Sequence, residues 1–390
     1  MKIGYFLGTF FPAPGGVQVQ THNIANTMVD RGNKIDFFLL NKTNIKNNRY
    51  GIVVINKFII SLFFYLNYYL KINLSFIFRI YLKKILMMDK YDLFHFHFLS
   101  HKMLYLIDNL QVFKKKIIVT FHGADIQVRK DINYGYRLDK FYNKLFLNII
   151  SKVDYFFSIS ETIKKDIINS GINKKKIYSS PNSISLNKIN KFKNFSKDIK
   201  DKIHLITVTR FAKGKKGLDL IPQIAEILVK KKINFKWSLV GKDLYKINEF
   251  KNMKKFKKNF KYYGNIQSFN ESIFPNSKLI KIYKKNHLFV SLSRIEALPI
   301  TLMEALACKL PVISFNTEGG NELVSNNWNG KLINEYSSNK MADSIISYQK
   351  NRHIYKNHKN NTFKSVLKFD LEKIAFSVLK DYEKIIQLQN

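Results

Sequence analysis

The stretch Arg-Ile-Glu-Ala-Leu-Pro-Ile-Thr-Leu-Met-Glu, residues 294–304, joins a strand to a helix through a short loop. An apolar run over residues 288–292 precedes it and predicts a buried strand. Pro299 suits the first position of a helix, so a helix is expected to begin there. Glu296 then lies in the loop and Glu304 within the helix, and both carboxylates are expected to face one cleft with the N–H groups of the helix start.

This arrangement suits a nucleotide sugar. The N–H groups and the positive end of the helix dipole bind a diphosphate, and carboxylates accept hydrogen bonds from sugar hydroxyls. Taken alone, the two residues are better explained as a loop Glu and a solvated helix Glu. The rest of the chain decides in favour of a site.

Further motifs accompany this stretch in a fixed order. In the first half they are Gly15-Gly16-Val17-Gln18, Asp30-Arg31-Gly32-Asn33-Lys34, His122-Gly123-Ala124-Asp125, Ser158-Ile159-Ser160-Glu161 and Ser180-Pro181-Asn182-Ser183. In the second half they are Val208-Thr209-Arg210, Lys215-Lys216-Gly217-Leu218-Asp219, Leu239-Val240-Gly241 and Gly319-Gly320-Asn321-Glu322. In order and spacing, the chain resembles the retaining GT-B glycosyltransferases of family 4 over most of its length.

Short apolar runs rich in β-branched and aromatic residues alternate with helix-length segments. The runs span residues 2–7, 34–40, 93–98, 117–121, 155–159, 204–209, 236–240, 287–292 and 311–315. Strands alternating with helices predict parallel sheets with right-handed crossovers. We therefore expect an α/β protein with two Rossmann-like, doubly wound parallel-sheet domains. The resemblance implies that they have the GT-B arrangement, with the two domains facing a central cleft.

The length of 390 residues suits two domains. We expect an N-terminal acceptor-binding domain over residues 1–185 and a C-terminal nucleotide-sugar-binding domain over residues 203–365. Residues 186–202 are polar and rich in Lys and Asn, which is typical of a linker. The resemblance implies that a C-terminal helix within residues 366–390 packs back on the first domain.

Arg210 and Lys216 follow a predicted strand and bracket a short basic loop before a helix. Two cations beside a helix start form a diphosphate clamp, which stabilises a leaving nucleoside diphosphate without a metal. The alternative is two ordinary surface bases, but both residues match family positions. Lys215 competes with Lys216 for this role.

The resemblance implies roles for other residues. Glu304 would bind the ribose hydroxyls of the donor, and Glu296 would contact the donor sugar near the reacting carbon. His122 would lie near the sugar 6-position and the acceptor, although a lone His is more often structural. The remaining expected donor contacts come mainly from backbone groups, at Gly15, Gly16, Gly241, Ala297, Leu298, Pro299 and Ile300.

His95 and His97 alternate along a predicted strand, with His101 soon after. Without an accompanying cysteine or carboxylate cluster they do not predict a metal site. By resemblance they lie near the acceptor cleft. Two departures from the family pattern concern backbone conformation, because Ser183 and Lys309 replace glycines and their positions could require positive φ.

The net charge of +38 predicts attraction to polyanions, although a general Lys and Asn bias would also produce it. No nucleic-acid-binding motif accompanies the charge, so nucleic acid is not the expected partner. Residues 58–70 are apolar and aromatic, too short to span a bilayer, and followed by basic residues. They suit an anionic membrane surface, with Phe63, Phe64 and Tyr68 facing lipid; the alternative is a buried connecting helix.

Residues 1–8 are too short for the core of a signal peptide and predict a first strand, so we expect a cytosolic protein at the inner face of the membrane. The single cysteine, Cys308, is compatible with a reducing compartment.

The predicted function is retaining transfer of a sugar from a nucleotide donor to a hydroxyl of a glycan or lipid-linked glycan, in cell-envelope polysaccharide synthesis. Within the resembled family UDP donors are favoured over GDP donors, and the leaving phosphate oxygen receives the acceptor proton. No cofactor or metal is expected. The alternatives are another GT-B chemistry, such as an epimerase or phosphorylase, and a non-catalytic polyanion- or membrane-binding protein.

Overall fold

The computed structural model describes residues 1–11, 15–46, 48–193, 199, 201–212, 214–266 and 271–388. The chain forms two compact units. The first contains Met1–Pro181 and the segment from Leu371 onward, and the second contains most of the chain between Asn182 and Asp370. Each unit is described separately below.

The first unit is built on a parallel sheet. Its strands are β1 (Lys2–Leu7), β2 (Lys34–Leu39), β3 (Gly51–Val54), β4 (Leu93–His97), β5 (Lys116–Phe121), β6 (Tyr155–Ser158) and β7 (Ile177–Ser179). Its helices up to residue 181 are α1 (Gly16–Asp30), α2 (Lys57–Tyr68), α3 (Ser75–Leu86), α4 (His101–Leu110), α5 (Lys140–Ile150) and α6 (Glu161–Asn169). The strand order is β3-β2-β1-β4-β5-β6-β7 among the described residues, so the order reverses between β1 and β4.

The second unit repeats this architecture. Its helices are α7 (Leu186–Asn190), α8 (Ile221–Lys230), α9 (Ser277–Tyr283), α10 (Ile300–Ala307), α11 (Ser338–Lys350) and α12 (Arg352–Ser365). Its strands are β8 (Ile203–Val208), β9 (Phe235–Val240), β10 (Phe260–Tyr262), β11 (Leu288–Ser291), β12 (Val312–Phe315) and β13 (Gly330–Ile333). The described strands pair in the order β10-β9-β8-β11-β12-β13, so the order reverses between β8 and β11.

The strands form because their side chains are apolar on both faces, as parallel sheets covered by helices require. In the second unit Trp237 of β9 and Leu288 of β11 are fully buried, and Ile224 of α8 belongs to the same core. In the first unit β4 is buried at every residue, including His95 and His97. The doubly wound α/β fold predicted for both halves is therefore confirmed.

The last helix, α13 (Leu371–Gln387), packs on α1 of the first unit. Its buried stripe includes Val378 and Tyr382, whose hydroxyl lies 3.0 Å from the hydroxyl of Tyr5. At its start Arg31 of the first unit donates to Glu372 at 2.8 Å. Of the expected linker, residues 186–190 form α7 and residues 194–198 and 200 lie outside the described residues. The expected domain limits at residues 185, 203 and 365 stay predictions.

Helices α2 and α3 carry a group of exposed apolar side chains. We call the α2–α3 patch the residues Phe58, Leu62, Tyr65, Phe76, Ile77 and Ile80. Phe58 is 73% exposed and Phe76 is 75% exposed. Lys83 and Lys84 follow on the last turn of α3. In the described part of the chain, no helix is long and apolar enough to cross a bilayer.

The three rings expected to face lipid are only partly exposed, and each contacts a ring of another helix. Phe63 lies 5.0 Å from the Phe78 ring of α3, measured between centroids. Phe64 and Tyr68 contact the ring of Tyr105 at 5.8 and 5.9 Å. These three rings pack between helices because α2 lies on α4, and its opposite side carries the exposed residues.

Candidate functional site

The loops that follow β8 and β11 lie side by side in the second unit, at the point where its strand order reverses. In open α/β sheets, ligands bind beyond the carboxyl ends of the strands at such a switch point. Gly217 has φ +58°, and a Cβ atom there would lie 1.9 Å from the carbonyl oxygen of Leu292. Only glycine permits this close approach of the two loops.

Arg294 fastens the two loops together. Its backbone N–H donates to the carbonyl oxygen of Lys215 at 2.8 Å. Its guanidinium donates to both carboxylate oxygens of Asp219, at 2.9 and 2.6 Å. A bidentate guanidinium–carboxylate pair has a defined geometry. It therefore holds the loop that carries Lys215 and Lys216 against the loop that carries Glu296.

Lys216 and Glu296 form an ion pair across this junction, Nζ to Oε1. Their side chains are only 16% and 14% exposed. Burial would raise the pKa of Glu296, but the charges of Lys216 and Lys215 and hydrogen bonds from Lys216 and Ser293 outweigh burial and lower it. Glu296 is therefore held as a carboxylate, which accepts hydrogen bonds and does not donate them.

Two further cations stand beside this pair. Burial, together with the charges of Lys216 and Arg210, lowers the pKa of Lys215 to about 8, and the charge of Glu296 limits the fall. Arg210 is exposed directly after β8. The structure thus brings together Arg210, Lys215, Lys216 and Glu296. The sequence predicted Arg210, Lys216 and Glu296 as site residues and Lys215 as the competitor of Lys216.

Gly241 places the loop after β9 next to the same cluster. Its φ is +139°, and a Cβ atom there would lie 1.8 Å from the carbonyl oxygen of Thr209. The residue is therefore glycine because the backbone preceding Arg210 occupies the space that a side chain would need.

Helix α10 begins beside Glu296. It starts at Ile300, with Pro299 as its N-cap at φ −76° and ψ 114°, so the expectation that Pro299 takes the first helical position was wrong by one residue. The side chain of Pro299 makes no capping hydrogen bond. Ala297 and Leu298 precede it and are buried, and the Leu298 carbonyl accepts from the Asn182 side chain at 2.7 Å.

Glu304 is 5% exposed in the second turn of α10. The hydroxyl of Tyr283 donates to its Oε2 at 2.8 Å. Burial raises the pKa of Glu304 to about 7, and the hydrogen bond from Tyr283 only partly offsets this. Glu304 is thus a buried carboxyl group that is partly protonated near pH 7.

In the first unit, His122 follows β5 on a loop that Asp125 holds. The Asp125 carboxylate is fully buried and accepts from the backbone N–H groups of His122, Gly123 and Leu99 at 3.0, 2.9 and 3.1 Å. Burial raises the pKa of Asp125 to about 6, and these hydrogen bonds limit the rise. Burial also lowers the pKa of the His122 imidazole to about 3, so that ring is neutral near pH 7.

His95 and His97 lie beside His122. His97 Nδ1 is 3.3 Å from His122 Nε2, and the rings of His95 and His97 stack with centroids 4.1 Å apart. Within the described residues, no group of three or more His, Cys, Asp or Glu side chains could hold a metal ion. His101 begins α4 and packs against Tyr142, 4.9 Å between ring centroids.

Gly15 is the N-cap of α1, and Gly16 is the first residue of that helix. They follow the loop after β1, at the switch point of the first sheet. Residues 12–14 of that loop lie outside the described residues.

Sequence reasoning missed three supporting residues. Arg294 opens the stretch quoted first, but nothing in the sequence pairs it with Asp219. Asp125 belongs to the His-Gly-Ala-Asp motif, which was a usable signal. Tyr283 lies in a short helix, and no sequence pattern marks it.

Two doubly wound units, each with polar residues beyond its strand ends, define the GT-B class of protein. A family model described as Glycosyltransferase Family 4 matches residues 14–188, and one described as Glycosyl transferases group 1 matches residues 188–365. The two matches together take in both sheets, and the chain belongs to the glycosyltransferase family.

Similar proteins agree with this assignment. An uncharacterized glycosyltransferase of Methanocaldococcus jannaschii is 26% identical over 300 residues, which is 74% of this chain and 73% of that protein. The N-acetyl-alpha-D-glucosaminyl L-malate synthase of Bacillus anthracis is 24% identical over 405 residues, 98% of each chain. The crystal structure of Anabaena HepE in complex with UDP-glucose matches with a TM-score of 0.74 and 15% identity, covering 98% of this chain and 100% of that chain, which shows a shared fold.

Proposed function

We propose that this glycosyltransferase is a retaining enzyme that moves a sugar from a nucleotide donor to a hydroxyl of a glycan or lipid-linked glycan. The observation that carries the proposal is the junction of Lys216, Glu296 and the start of α10 at the switch point of the second sheet. Cations and helix N–H groups suit a diphosphate, and an ionised carboxylate among them suits the hydroxyls of the attached sugar.

Each donor group has a proposed partner. Arg210 and Lys216 bind the diphosphate, Glu296 binds the sugar hydroxyls, and the buried carboxyl of Glu304 binds the ribose hydroxyls. UDP is favoured and GDP is the competitor; the related fold of HepE in complex with UDP-glucose supports the former. Neither a cofactor nor a metal is part of this proposal, because Arg210 and Lys216 supply the positive charge.

In the proposed reaction the bond between the sugar carbon and the diphosphate oxygen breaks, and the acceptor oxygen bonds to the same face of that carbon. The acceptor proton passes to the departing phosphate oxygen. The charge that develops on the diphosphate is stabilised by the fixed cations of the second unit. The anomeric configuration of the sugar is therefore retained.

The donor is tested by thermal unfolding of the whole protein with a panel of nucleotide sugars. A ligand at 100 times its Kd should add about 2.7 kcal/mol to the free energy of unfolding. We expect a UDP-sugar to give the largest shift and the Arg210→Ala variant to lose it, while Lys230→Ala, an exposed lysine of the same unit, keeps it. A shift that survives in Arg210→Ala would contradict the clamp.

The chemistry is tested by transfer and donor hydrolysis with the stabilising donor. NMR of the product should show the anomeric configuration of the donor. Activity should persist in EDTA; its loss in chelator with recovery in Mg²⁺ would reject the metal-free proposal. An epimerised donor without transfer would identify a different chemistry on the same fold.

We further propose that the acceptor is presented at an anionic membrane surface, on the cytosolic side, in the synthesis of envelope polysaccharide. The α2–α3 patch supports this, because apolar rings next to Lys83 and Lys84 match the headgroup region of an anionic leaflet. Each lysine near such a surface contributes roughly 1 kcal/mol.

Sedimentation with vesicles of zero and substantial anionic content tests the membrane proposal. Wild-type protein should sediment with anionic vesicles, partly resisting salt. Replacing Phe58, Phe76 and Ile80 with Ser should abolish the salt-resistant part. The matched control replaces three exposed apolar residues of the second unit, Val229, Tyr245 and Leu367, with Ser. Equal binding by both variants would remove the patch from the proposal.

A further inference from the structure

Of the two ring nitrogens of His97, one has a hydrogen-bond partner among the described residues and the other has none there. Its Nδ1 lies 3.3 Å from Nε2 of His122. Its Nε2 is buried, and no described residue offers it a hydrogen bond. The residue is 8% exposed, so this nitrogen is not simply open to solvent.

The His97 ring has little freedom to turn. It stacks on His95, and it contacts the Tyr5 ring at 4.9 Å between centroids. His95 itself is fixed at both nitrogens, by the hydroxyl of Tyr382 at 2.5 Å and by that of Thr120 at 2.7 Å. Helix α13 thus helps to hold His97 in place, because its Tyr382 fixes the His95 ring on which His97 stacks.

Two arrangements of protons are available to the neutral pair. If His122 donates from Nε2, His97 carries its own proton on Nε2 and buries an N–H group without an acceptor. If His97 donates from Nδ1, its Nε2 is an unprotonated nitrogen and His122 carries its proton on Nδ1. Buried N–H groups without acceptors are rarer than under-used acceptors, so the second arrangement is favoured.

We infer that His97 is a positioning residue that sets the tautomer of His122, so that His122 presents its Nδ1–H as a hydrogen-bond donor. This inference rests on the proposed function, in which His122 meets a hydroxyl oxygen of the donor sugar or the acceptor. It assigns His122 hydrogen-bond donation and no proton transfer, which agrees with a ring whose pKa is lowered to about 3 by burial.

The test compares three side chains at residue 97. His97→Phe keeps the ring on the stacking wall and removes both nitrogens. His97→Asn places an amide N–H where Nδ1 stands and should restore the donor. Nitrogen-15 NMR of histidine-labelled full-length protein, without substrate, reads the tautomer of His122, and the His122→Gln variant identifies its signals.

We expect His122 to be protonated on Nδ1 in the wild type and in His97→Asn, and to change tautomer or exchange between tautomers in His97→Phe. An Nε2-protonated His122 in the wild type, or an unchanged tautomer in His97→Phe, would overturn the inference. Because these spectra need no donor, they stand even if the proposed glycosyl transfer fails.

Kinetics provides the second readout. His97→Phe should lower kcat on the order of tenfold, the effect of one misaligned hydrogen bond, with the donor KM little changed. His97→Asn should recover most of the loss. Thermal unfolding should give similar midpoints for all three proteins. A loss of kcat in His97→Asn equal to that in His97→Phe would show that the donor N–H is not what matters.

Discussion

The two units place their candidate site residues at corresponding edges of similar sheets, but one set is charged and the other is neutral. In the second unit Lys216 pairs with Glu296, and Lys215 and Arg210 stand beside them. In the first unit burial lowers the pKa values of His95, His97 and His122. Asp125 there accepts hydrogen bonds from backbone N–H groups.

The difference shows that the doubly wound fold supplies a position and the side chains supply the chemistry. A charged junction suits a diphosphate, whose charge grows as it leaves. A group of neutral, hydrogen-bonded histidines suits hydroxyl groups, because it can orient them without gaining or losing a proton. The following predictions test this division, beginning with the largest expected effect.

Removing a cation from the second unit should cause the largest loss of catalytic activity. Lys216→Ala and Arg210→Ala should each lower kcat/KM. The loss should correspond to about 2–4 kcal/mol of transition-state stabilisation, as expected for removing a charge that faces a leaving group. Lys230→Ala is the exposed control. If Lys215→Ala loses more activity than Lys216→Ala, Lys215 is the phosphate ligand.

The Lys216 variant also leaves Glu296 without its ion-pair partner, which is itself destabilising. Urea unfolding of Lys216→Ala, of Glu296→Gln and of the double variant separates this effect, because the double variant should recover part of the stability lost in Lys216→Ala. Additive losses would mean that the two residues do not support each other.

The two candidate site carboxylates, Glu296 and Glu304, should respond oppositely to neutralisation. Glu304 has a pKa raised to about 7 from 4.5, so its ionisation reduces stability as pH rises through that interval. Glu304→Gln should therefore raise the free energy of unfolding by up to about 3 kcal/mol at about pH 8, a gain that disappears toward about pH 4.5.

Glu296→Gln should instead lower stability at about pH 8, because the pKa of Glu296 is lowered and its charge is favoured in the folded state. That loss should diminish as pH falls. In kinetics, Glu304→Ala should raise the donor KM, and Glu296→Ala should chiefly lower kcat. Wild-type kinetics for both would contradict their assignment to the site.

The neutral site of the first unit should depend on its hydrogen bonds. Asp125→Ala leaves the N–H groups of His122, Gly123 and Leu99 buried without their acceptor, which should cost about 1–3 kcal/mol of stability or more. Asp131→Ala removes an exposed carboxylate near the same loop and should cost little. Chemical denaturation measures both; equal stabilities would remove Asp125 as the support of the loop.

The smallest effect compares two helix ends. Gly32 lies two residues after the last residue of α1 and has φ +82°, and Lys309 lies two residues after the last residue of α10 and has φ +62°. Both ends make the same pair of hydrogen bonds: Asn33 N–H to Met28 O and Gly32 N–H to Val29 O in α1, and Leu310 N–H to Ala305 O and Lys309 N–H to Leu306 O in α10. This left-handed position favours glycine.

Lys309→Gly should therefore raise the free energy of unfolding by about 0.5–1 kcal/mol, and Gly32→Lys should lower it by about 1 kcal/mol. Lys309→Ala, which keeps a Cβ atom, is the control and should gain little. Urea titration of the three variants decides whether the two ends carry the same strain. A positive φ at Lys309 was anticipated from the sequence, whereas Ser183 does not adopt one.

Buried strands were predictable from the sequence because each is rich in apolar, β-branched or aromatic residues. The strands that were missed are β3, β7, β10 and β13, which lie at the edges of the two sheets. Their residues are partly exposed, as in Gly51–Val54 and Ile177–Ser179. β7, β10 and β13 lack a long apolar run, whereas β3 contains Ile52, Val53 and Val54 and is short. An edge strand is defined by its neighbour more than by its own composition.

The sequence by itself determined the two doubly wound sheets and the choice of Arg210, Lys216, Glu296, Glu304 and His122 as candidate site residues. Only the tertiary structure decided that Lys216 pairs with Glu296, that Tyr283 donates to Glu304, and that Tyr382 fixes His95. It also decided which rings of α2 are exposed. Periodicity and residue type are local properties of a chain, whereas each of these contacts joins side chains from different elements and exists only after they have packed.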